Sequence, residues 1–522
     1  MKTPKKPTQP HGLRFRRAPL ALDDLAPILA GAPVALSLDA TVRARIAAGR
    51  RVVDRILRSG EVVYGINTGF GNFKKVRIAP GDLRALQYNL IRSHACGVGE
   101  PLPTAIVRAL MVLRVRTLAT GCAGVRPALV NKMIELLRAD LIPVIPSQGS
   151  VGASGDLAPL AHLALALIGE GEVEVRGERL PAKRALARAG IAPLELAPKE
   201  GIALINGTQV TTALALDALL RAERLTRCAD LACALTIEAL KGTDAACDPR
   251  IHAVRPHPGQ TTAADNMRRL LRGSAILKSH HGCDRVQDPY SLRCAPQVHG
   301  ACRDTLRHAR SVLAIEIEAA TDNPLVFARG NRGEGDIVSG GNFHAQPIAA
   351  VADAITAGVA DLASISERRI DNLVAGRHGL PEFLTPEPGL SSGFMIPQVV
   401  AAALVSECKA LSFPASVDSI PTSANQEDHV SMGPIAARKA RQVVECAERV
   451  VAIELVAAAQ GLDFEREATT TPALRAAKAL LRTRVKRLGR DRYLAPDLDA
   501  ATELVRSGAL VAAAAEAGVR LR

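Results

Sequence analysis

The chain has 522 residues, of which 48% are hydrophobic and only 2% aromatic, and it contains no tryptophan. A chain of this length can bury a large core, and one so poor in aromatic residues must build that core from aliphatic side chains, chiefly of closely packed helices. The formal net charge is +14, but its basic residues are dispersed and form no recognisable binding module, so we predict no nucleic-acid partner.

The ten cysteines include no CxxC pair, which favours reduced thiols and a cytoplasmic location. Arg16 and Arg17 precede an apolar stretch in the manner of an export signal, but Asp23 and Asp24 interrupt that stretch. Uninterrupted apolar runs stay shorter than the roughly 18 residues that a membrane helix needs. We therefore expect neither export nor a membrane segment.

The predicted elements begin after a basic stretch, residues 1–20, whose composition is typical of a flexible arm. A glycine-rich loop that contains Tyr64 comes next, and a helix follows with Asp82 as its expected N-cap and Gly97 as its stop. Two more helices are predicted over residues 104–118 and 127–137.

A second glycine-rich stretch, GSVGASGDLAPL, surrounds Ser154 and leads into another apolar helix. We expect Asp156 to cap that helix and Pro159 to lie in its first turn, where a missing N–H costs little. The alternating stretch at residues 171–180 then predicts a short hairpin.

The remaining chain is dominated by long helical patterns, several close to 30 residues or about 45 Å in length. Such lengths predict a bundle of long, roughly antiparallel helices. The patterns cover residues 208–240, 301–320, 344–374, 394–411 and 429–460. The predicted fold is thus mainly all-α, with a smaller mixed region that holds the Ser154 loop. We divide it into the arm, a mixed region at 21–205, and the bundle with C-terminal helices at 206–522.

A candidate carboxylate binder lies in the connection VQDPYSLR. The guanidinium of Arg293 can grip a planar carboxylate through two hydrogen bonds, and Tyr290 and Gln287 stand close by in the sequence. A structural salt bridge is the alternative interpretation of Arg293.

Four further residues have a functional and a structural interpretation. Tyr64 and Tyr290, both bracketed by turn residues, could hold or move a proton if their pKa were lowered, or could cap the core. Asn206 could orient a substrate or form a turn with Gly207. Phe343 could line a site or belong to the core.

For two further acid–base candidates, sequence spacing alone does not decide between a catalytic and a structural role. Glu427 lies in the cluster EDH, but acidic residues ahead of a helix are often N-terminal caps. His94 lies near the end of a helix, where a cation is favourable for structural reasons.

Familiar catalytic motifs are missing from the sequence. It has no GxxxxGK[ST], no HExxH and no convincing GxGxxG. The segment GASGD is not a GxSxG nucleophile elbow, because Asp156 occupies the place of the second glycine. We expect no metal site and no serine hydrolase.

Seven segments, in this order, resemble the aromatic amino acid ammonia-lyase family, and most closely its members that act on histidine. The likeness runs from about residue 60 to about residue 500. The segments are VYGINTGFG, RSHACGVG, GSVGASGDLAPL, INGTQ, VQDPYSLRCAPQV, SGGNFHAQP and PTSANQEDHVSM.

The resemblance implies an electrophile made from the chain itself. In this family an Ala-Ser-Gly tripeptide cyclises and loses water to give 4-methylidene-imidazol-5-one, here from Ala153, Ser154 and Gly155, so no external cofactor is expected. It also implies a helical fold and a homotetramer whose active sites combine residues of more than one subunit. Whether the substrate amine or its ring attacks the electrophile stays open.

The resemblance also assigns roles to the candidate residues. Arg293 would bind the substrate carboxylate, and Tyr64 would be the base, with Glu427 as its rival. Tyr290 and Asn206 would support the electrophile and position the substrate amine or carboxylate, and Gln287 and Phe343 would line the site.

The pair Ser93-His94 resembles the pair of histidine-specific members, and a carboxylate at Glu427 can accept an imidazole N–H. The implied reaction converts L-histidine to trans-urocanate and ammonia, the first step of histidine degradation. The alternatives are the same electrophile acting on tyrosine or phenylalanine, as a lyase or a 2,3-aminomutase, and more remotely a non-catalytic helical scaffold. His162 and His299 depart from the family pattern, and we interpret both as packing variations.

Overall fold

A computed structural model describes residues 10–16, 18–280, 282, 286–465 and 467–522. Helices predominate among these residues and the strands are short, which confirms the predicted fold class. The helices are α1 (Ala26–Leu29), α2 (Ala40–Ser59), α3 (Leu83–His94), α4 (Thr104–Ala119), α5 (Pro127–Arg138), α6 (Ala158–Leu167), α7 (Ala182–Arg188), α8 (Glu200–Ile205), α9 (Gln209–Ala239), α10 (Pro249–Ala253), α11 (Pro258–Leu271), α12 (Ala275–Ser279), α13 (Tyr290–Arg293), α14 (Ala295–Glu316), α15 (Gln346–Val374), α16 (Met395–Leu411), α17 (Gly433–Leu462), α18 (Pro472–Arg482), α19 (Ala495–Ser507) and α20 (Ala509–Glu516).

The strands are short and pair in small sheets. They are β1 (His11–Phe15), β2 (Val34–Leu38), β3 (Val98–Pro101), β4 (Ile142–Pro143), β5 (Pro146–Gln148), β6 (Glu172–Val175), β7 (Glu178–Pro181), β8 (Leu325–Arg329) and β9 (Glu334–Val338). β1 and β2 are parallel, β3 pairs with β5, β4 adds to the hairpin β6–β7, and β8 and β9 form a second hairpin. The hairpin β6–β7 lies where the alternating pattern predicts it.

The chain divides into two compact units. The first unit comprises the described residues up to Asp217 together with Ser311–Ala352 and Pro414–Arg438, and it contains β1 to β9. The second unit comprises Ala218–Arg310, Asp353–Phe413 and Lys439–Arg522. Beyond the arm, the sequence predicts one boundary, between residues 205 and 206, whereas the first unit continues to Asp217 and takes in two later segments.

Part of the predicted flexible arm is a strand. Residues 1–9 and Arg17 lie outside the described part of the chain. His11–Phe15 pairs in register with Val34–Leu38, and the alternate side chains Leu13 and Phe15 are buried. The alternation buries one face of β1, so the basic composition of the arm does not keep this segment unfolded.

The second unit is built around long helices whose buried faces carry charged as well as apolar side chains. Within it α9 and α14 run antiparallel, because Asp230 contacts His299 whereas Glu223 contacts Arg310. By length and composition α15 is long and apolar enough to cross a membrane, but 56% of its most apolar window is buried. Core helices of globular proteins commonly meet the same criterion.

Candidate active site

The loop around Ser154 has a backbone that strongly favours glycine at two positions. Gly152 and Gly155 have φ values of +75° and +78°. A Cβ on Gly155 would collide with the carbonyl oxygen of Gly207, which accepts a 2.7 Å hydrogen bond from the Asp156 N–H. The Ser154 loop and the turn at Gly207 therefore meet backbone to backbone, with no room for a side chain between them.

Asp156 caps a different helix from the one that the sequence analysis assigned to it. Its carboxylate accepts hydrogen bonds from the N–H groups of Val210 (2.6 Å) and Thr211 (3.3 Å) and from the Thr211 hydroxyl (2.6 Å), all in the first turn of α9. The prediction that Asp156 caps α6 is therefore wrong, although Pro159 does lie in the first turn of α6. Asp156 instead fixes the Ser154 loop to the start of α9.

The other side of the loop is attached to the segment that carries Glu427. Ala153 packs against Val430 and Met432. The Met432 N–H donates to the carbonyl of Val151 over 2.9 Å, and the hydroxyl of Ser431 donates to the carbonyl of Gly152.

Glu427 accepts hydrogen bonds from two hydroxyl groups. Ser154 Oγ donates to Oε1 over 3.3 Å, and Thr422 Oγ1 donates to Oε2 over 2.9 Å. The backbones of Thr422 and Glu427 also pair across a tight turn. Because α17 begins only at Gly433, Glu427 does not cap that helix, and its carboxylate is available to the site.

Tyr64 and His94 are two other titratable side chains that line the same cavity as Glu427. Tyr64 Oη accepts from the Gly71 N–H over 3.4 Å. Burial raises the pKa of Tyr64, the Gly71 hydrogen bond opposes this, and the charge of Glu427 adds to it. The phenol is therefore protonated in this state, contrary to the lowered pKa that a tyrosine base would need.

The ring of His94 is anchored through one nitrogen. Nδ1 lies 2.8 Å from the carbonyl oxygen of Leu90, so this nitrogen carries the proton and Nε2 keeps its lone pair. Burial lowers the pKa of His94, although the Leu90 hydrogen bond and the charge of Glu427 oppose the shift. The neutral ring can accept a hydrogen bond through Nε2.

Asn206 supplies an acceptor that the protein leaves unused. Its Nδ2 donates to the carbonyl of Asn323 over 2.9 Å. Its Oδ1 is buried and has no hydrogen-bond partner among the described residues. A buried acceptor without a donor is costly unless a ligand supplies one.

Two cavities in the first unit meet at these groups. The larger, about 840 Å³, has an apolar wall that includes Phe70, Leu86 and Leu90. The smaller, about 590 Å³, is more polar and includes Lys74 and His344. The predicted site residues that line one or both cavities are Tyr64, His94, Ala153, Ser154, Asn206, Phe343 and Glu427.

Three predicted site residues belong to the second unit and, within the part of the chain described, line neither of these cavities. Arg293 stacks on Tyr290, with its Cζ 4.6 Å from the ring centroid. Tyr290 is 71% exposed, and Arg293 Nε is buried without a partner in the described structure. Gln287 lines a separate cavity of about 290 Å³ together with Asp288.

Two further residues support the site, of which Arg114 was not predicted and His162 was interpreted as a packing variation. Arg114 is fully buried, donates to Gln209 over 2.6 Å and to the carbonyl of Ala203, and so braces the turn that carries Asn206. Burial lowers the pKa of Arg114 to about 10. The available signal was that α4 carries three arginines, Arg108, Arg114 and Arg116, in a mostly apolar sequence. His162 Nε2 accepts from the Gly97 N–H over 3.1 Å and thereby ties α6 to the end of the His94 helix.

The chain is similar to proteins of one family along nearly its whole length. A model of the aromatic amino acid lyase family matches residues 20–483. A histidine ammonia-lyase of Sorangium cellulosum is 54% identical over 506 residues, which are 96% of this chain and 98% of that protein. The crystal structure of histidine ammonia-lyase from Trypanosoma cruzi is 43% identical with a TM-score of 0.89, covering 97% of this chain and 95% of that one.

A tyrosine aminomutase of Streptomyces globisporus has the same fold. It is 37% identical with a TM-score of 0.90, and the match covers 97% of this chain and 98% of that one. The chain therefore belongs to the aromatic amino acid lyase family.

Proposed function

We propose that this protein is a histidine ammonia-lyase, which converts L-histidine to trans-urocanate and ammonia. The observation that carries the proposal is the convergence of Ser154, Glu427, His94, Tyr64 and Asn206 on one pair of joined cavities. The 54% identity to the Sorangium enzyme supports the choice of substrate.

We propose further that Ala153, Ser154 and Gly155 condense, with loss of two waters, to 4-methylidene-imidazol-5-one. The residues present fit such a group. The Gly155 nitrogen must approach the Ala153 carbonyl carbon, and the positive φ values of Gly152 and Gly155 supply a backbone that other residues rarely adopt. The contacts of Asp156 and of Met432 hold both sides of the loop in place.

This group would supply the electrophile that makes the amino group of the substrate a better leaving group. Around it the chain's own residues bind and orient the substrate. The unused Oδ1 of Asn206 can accept an N–H from the substrate ammonium. The apolar wall of the larger cavity can take the side chain and exclude water.

We assign recognition of the imidazole to His94 and Glu427. His94 offers a lone pair on Nε2 and Glu427 offers carboxylate oxygens, so both can accept an imidazole N–H that a phenyl ring lacks. Tyr64 remains our candidate base, with Glu427 as its rival. Since the Tyr64 phenol starts protonated, Tyr64 must first lose its proton to remove one from the β-carbon, whereas a carboxylate at Glu427 needs no such step.

Arg293 and Tyr290 are our candidates for the substrate carboxylate site, with Gln287 beside them, and we propose that a homotetramer supplies them to each active site. Two observations support self-association. Tyr290 is largely exposed, and α16 presents exposed apolar side chains, including Ile396 (59%) and Val399 (52%). We also propose a cytoplasmic location, since the nine cysteines that the structure describes are free.

The second candidate is an aminomutase or lyase acting on tyrosine or phenylalanine, favoured by the close structural match to the tyrosine aminomutase. The purified protein should be incubated separately with L-histidine, L-tyrosine and L-phenylalanine. Urocanate is followed by its ultraviolet absorption, and β-amino acids and cinnamates by mass spectrometry. Release of urocanate that Ser154→Ala abolishes supports the proposal, and product from tyrosine alone refutes it.

Intact-mass measurement tests the electrophile separately from the reaction. The wild-type chain should lack the mass of two waters, and the Ser154→Ala chain should have its full mass. A full-mass wild-type chain with urocanate-forming activity would exclude this electrophile.

A further inference from the structure

Within the second unit, four long helices each contribute one buried polar side chain to a continuous chain of contacts. These are Asp230 of α9, His299 of α14, Arg369 of α15 and Glu454 of α17, and all four side chains are fully buried. The contacts of His299 give it a more specific role than the packing variation that its sequence suggests.

The two ring nitrogens of His299 face partners of opposite kinds. Nδ1 lies 2.8 Å from Asp230 Oδ1, and Nε2 lies 3.3 Å from Arg369 Nη1. A guanidinium can only donate, so Nε2 must be the acceptor and the proton must be on Nδ1, where it is donated to Asp230. Burial lowers the pKa of His299 against the opposing effect of the Asp230 hydrogen bond, which keeps the ring neutral and able to accept from Arg369.

Both ends of the chain of contacts are fixed. Asp230 Oδ2 also accepts from Arg303 and, over 2.8 Å, from Asn266. Although burial opposes it, the charge of Arg303 and the His299 hydrogen bond hold the pKa of Asp230 below its usual value. At the other end, Arg369 Nε and Nη2 form a two-point contact with Glu454, at 2.6 and 2.8 Å.

Since Nε and Nη2 of Arg369 contact Glu454, its third nitrogen, Nη1, is available for other contacts. Arg369 Nη1 donates to His299 and, over 3.4 Å, to the carbonyl oxygen of Ser291. Ser291 belongs to α13, a helix of only four residues that also carries Tyr290 and Arg293. So short a helix has little stability of its own, and its placement depends on contacts with its neighbours.

We propose that His299 is a positioning residue for the substrate carboxylate site. As a neutral acceptor it orients Arg369, whose Nη1 holds the Ser291 carbonyl and thereby places the guanidinium of Arg293. The inference rests on the proposed role of Arg293 as carboxylate binder.

The test compares three variants of the whole protein in steady-state kinetics with L-histidine. His299→Leu removes both hydrogen bonds, whereas in His299→Gln the amide can still accept from Arg369 and donate to Asp230. His252→Leu is the matched control, because His252 is also buried in the second unit but bonds to Ala246 and Gln260 and not to Arg369.

We expect His299→Leu to raise KM about tenfold with kcat changed less than about twofold, because a carboxylate anchor binds ground state and transition state alike. His299→Gln should keep KM within about threefold of wild type, and His252→Leu should lower thermal stability without raising KM. If His299→Leu yields no folded protein, His299→Met makes the same comparison. An unchanged KM in the apolar variant, or an equal rise in the Gln variant, overturns the inference.

A double variant separates this inference from the proposed function. Arg293→Gln should itself raise KM, and adding His299→Leu should then raise it less than about twofold further, since both act on one contact. If Arg293→Gln leaves KM unchanged, the carboxylate role and the inference both fall. If Arg293→Gln raises KM and His299→Leu multiplies it by the same factor in either background, only the inference falls.

Discussion

Both carboxylate oxygens of Glu427 accept a hydrogen bond, one from Ser154 and the other from Thr422. We expect Glu427→Gln to lower kcat about a hundredfold or more, since the amide keeps the size but loses the charge and the proton affinity. Steady-state urocanate formation measures the effect. Asp418→Asn, an exposed acid of the same unit, is the control, and near-normal turnover in Glu427→Gln would show that the carboxylate has no such role.

Substitution of the single residue His94 tests how the protein selects histidine as its substrate. We expect His94→Leu to raise KM for L-histidine about tenfold with a smaller change in kcat, because it removes an acceptor for the imidazole N–H from an otherwise apolar wall. His94→Gln, which retains an acceptor, should show a smaller rise. Equal KM values for all three proteins would assign imidazole recognition to other residues.

At the scale of elements, Asp156 joins the Ser154 loop to the start of α9. Burial raises its pKa to about 6, although hydrogen bonds from Thr211 and Val210 oppose the shift. The usual value is about 3.9, so the folded state binds this proton more tightly than the unfolded state. The contribution of Asp156 to the free energy of unfolding therefore falls as the pH rises from about 4 to about 6.

We expect Asp156→Asn, which is neutral at every pH, to lose less stability than wild type over that interval. The two proteins should differ in this pH-dependent loss of unfolding free energy by at most about 3 kcal/mol, since each pKa unit corresponds to about 1.4 kcal/mol. Thermal unfolding of both proteins from pH 4 to pH 7 measures it. A wild-type-minus-variant difference that is constant with pH would contradict the raised pKa.

Most of the long helices could be located from sequence because local apolar periodicity marks them, but α2 and α11, of 20 and 14 residues, were not predicted. α9 was predicted over residues 208–240 and spans Gln209–Ala239. α14 begins six residues before its predicted start, and Pro296 lies in its first turn, where a missing N–H costs little. The pairing of β1 with β2 and the hairpin β8–β9 escaped prediction, since short strands depend on partners that local patterns do not reveal.

Candidate site residues could be predicted from sequence only where they belong to a recognisable motif. Ser154, Tyr64 and Asn206 lie in recognisable segments and do line the joined cavities. The hydrogen bond from Thr422 to Glu427 and the support of Gln209 by Arg114 arise from packing between segments far apart in sequence. No spacing rule connects such pairs, so they required the structure.

At the scale of the whole molecule, the proposed tetramer makes a prediction about mixed subunits. Ser154 lies in the first unit and Arg293 in the second, and the proposal brings them together from different chains. At an L-histidine concentration far below the raised KM of Arg293→Gln, coexpression of Ser154→Ala with Arg293→Gln should then give about a quarter of wild-type activity, the share of sites with both wild-type residues if chains mix at random, above the small residual activity of Arg293→Gln sites.

The control pair is Ser154→Ala with Glu427→Gln. Both residues line the same cavities of one chain, so these two variants should not complement each other. Activity no higher in the first mixture than in the control would argue that each chain supplies its own complete site. A different affinity tag on each variant, with purification on both tags in turn, isolates the mixed oligomers, and light scattering gives their size.

The close backbone approach of Gly155 and Gly207 limits how this enzyme can be redesigned. Neither position can accept a side chain, because a Cβ on either would collide with the opposite loop or with Arg114. Libraries aimed at new substrates gain nothing by varying these two positions. Useful diversity lies at Leu86 and Leu90, which line the larger cavity and where changes of side-chain volume alter the room for a ring.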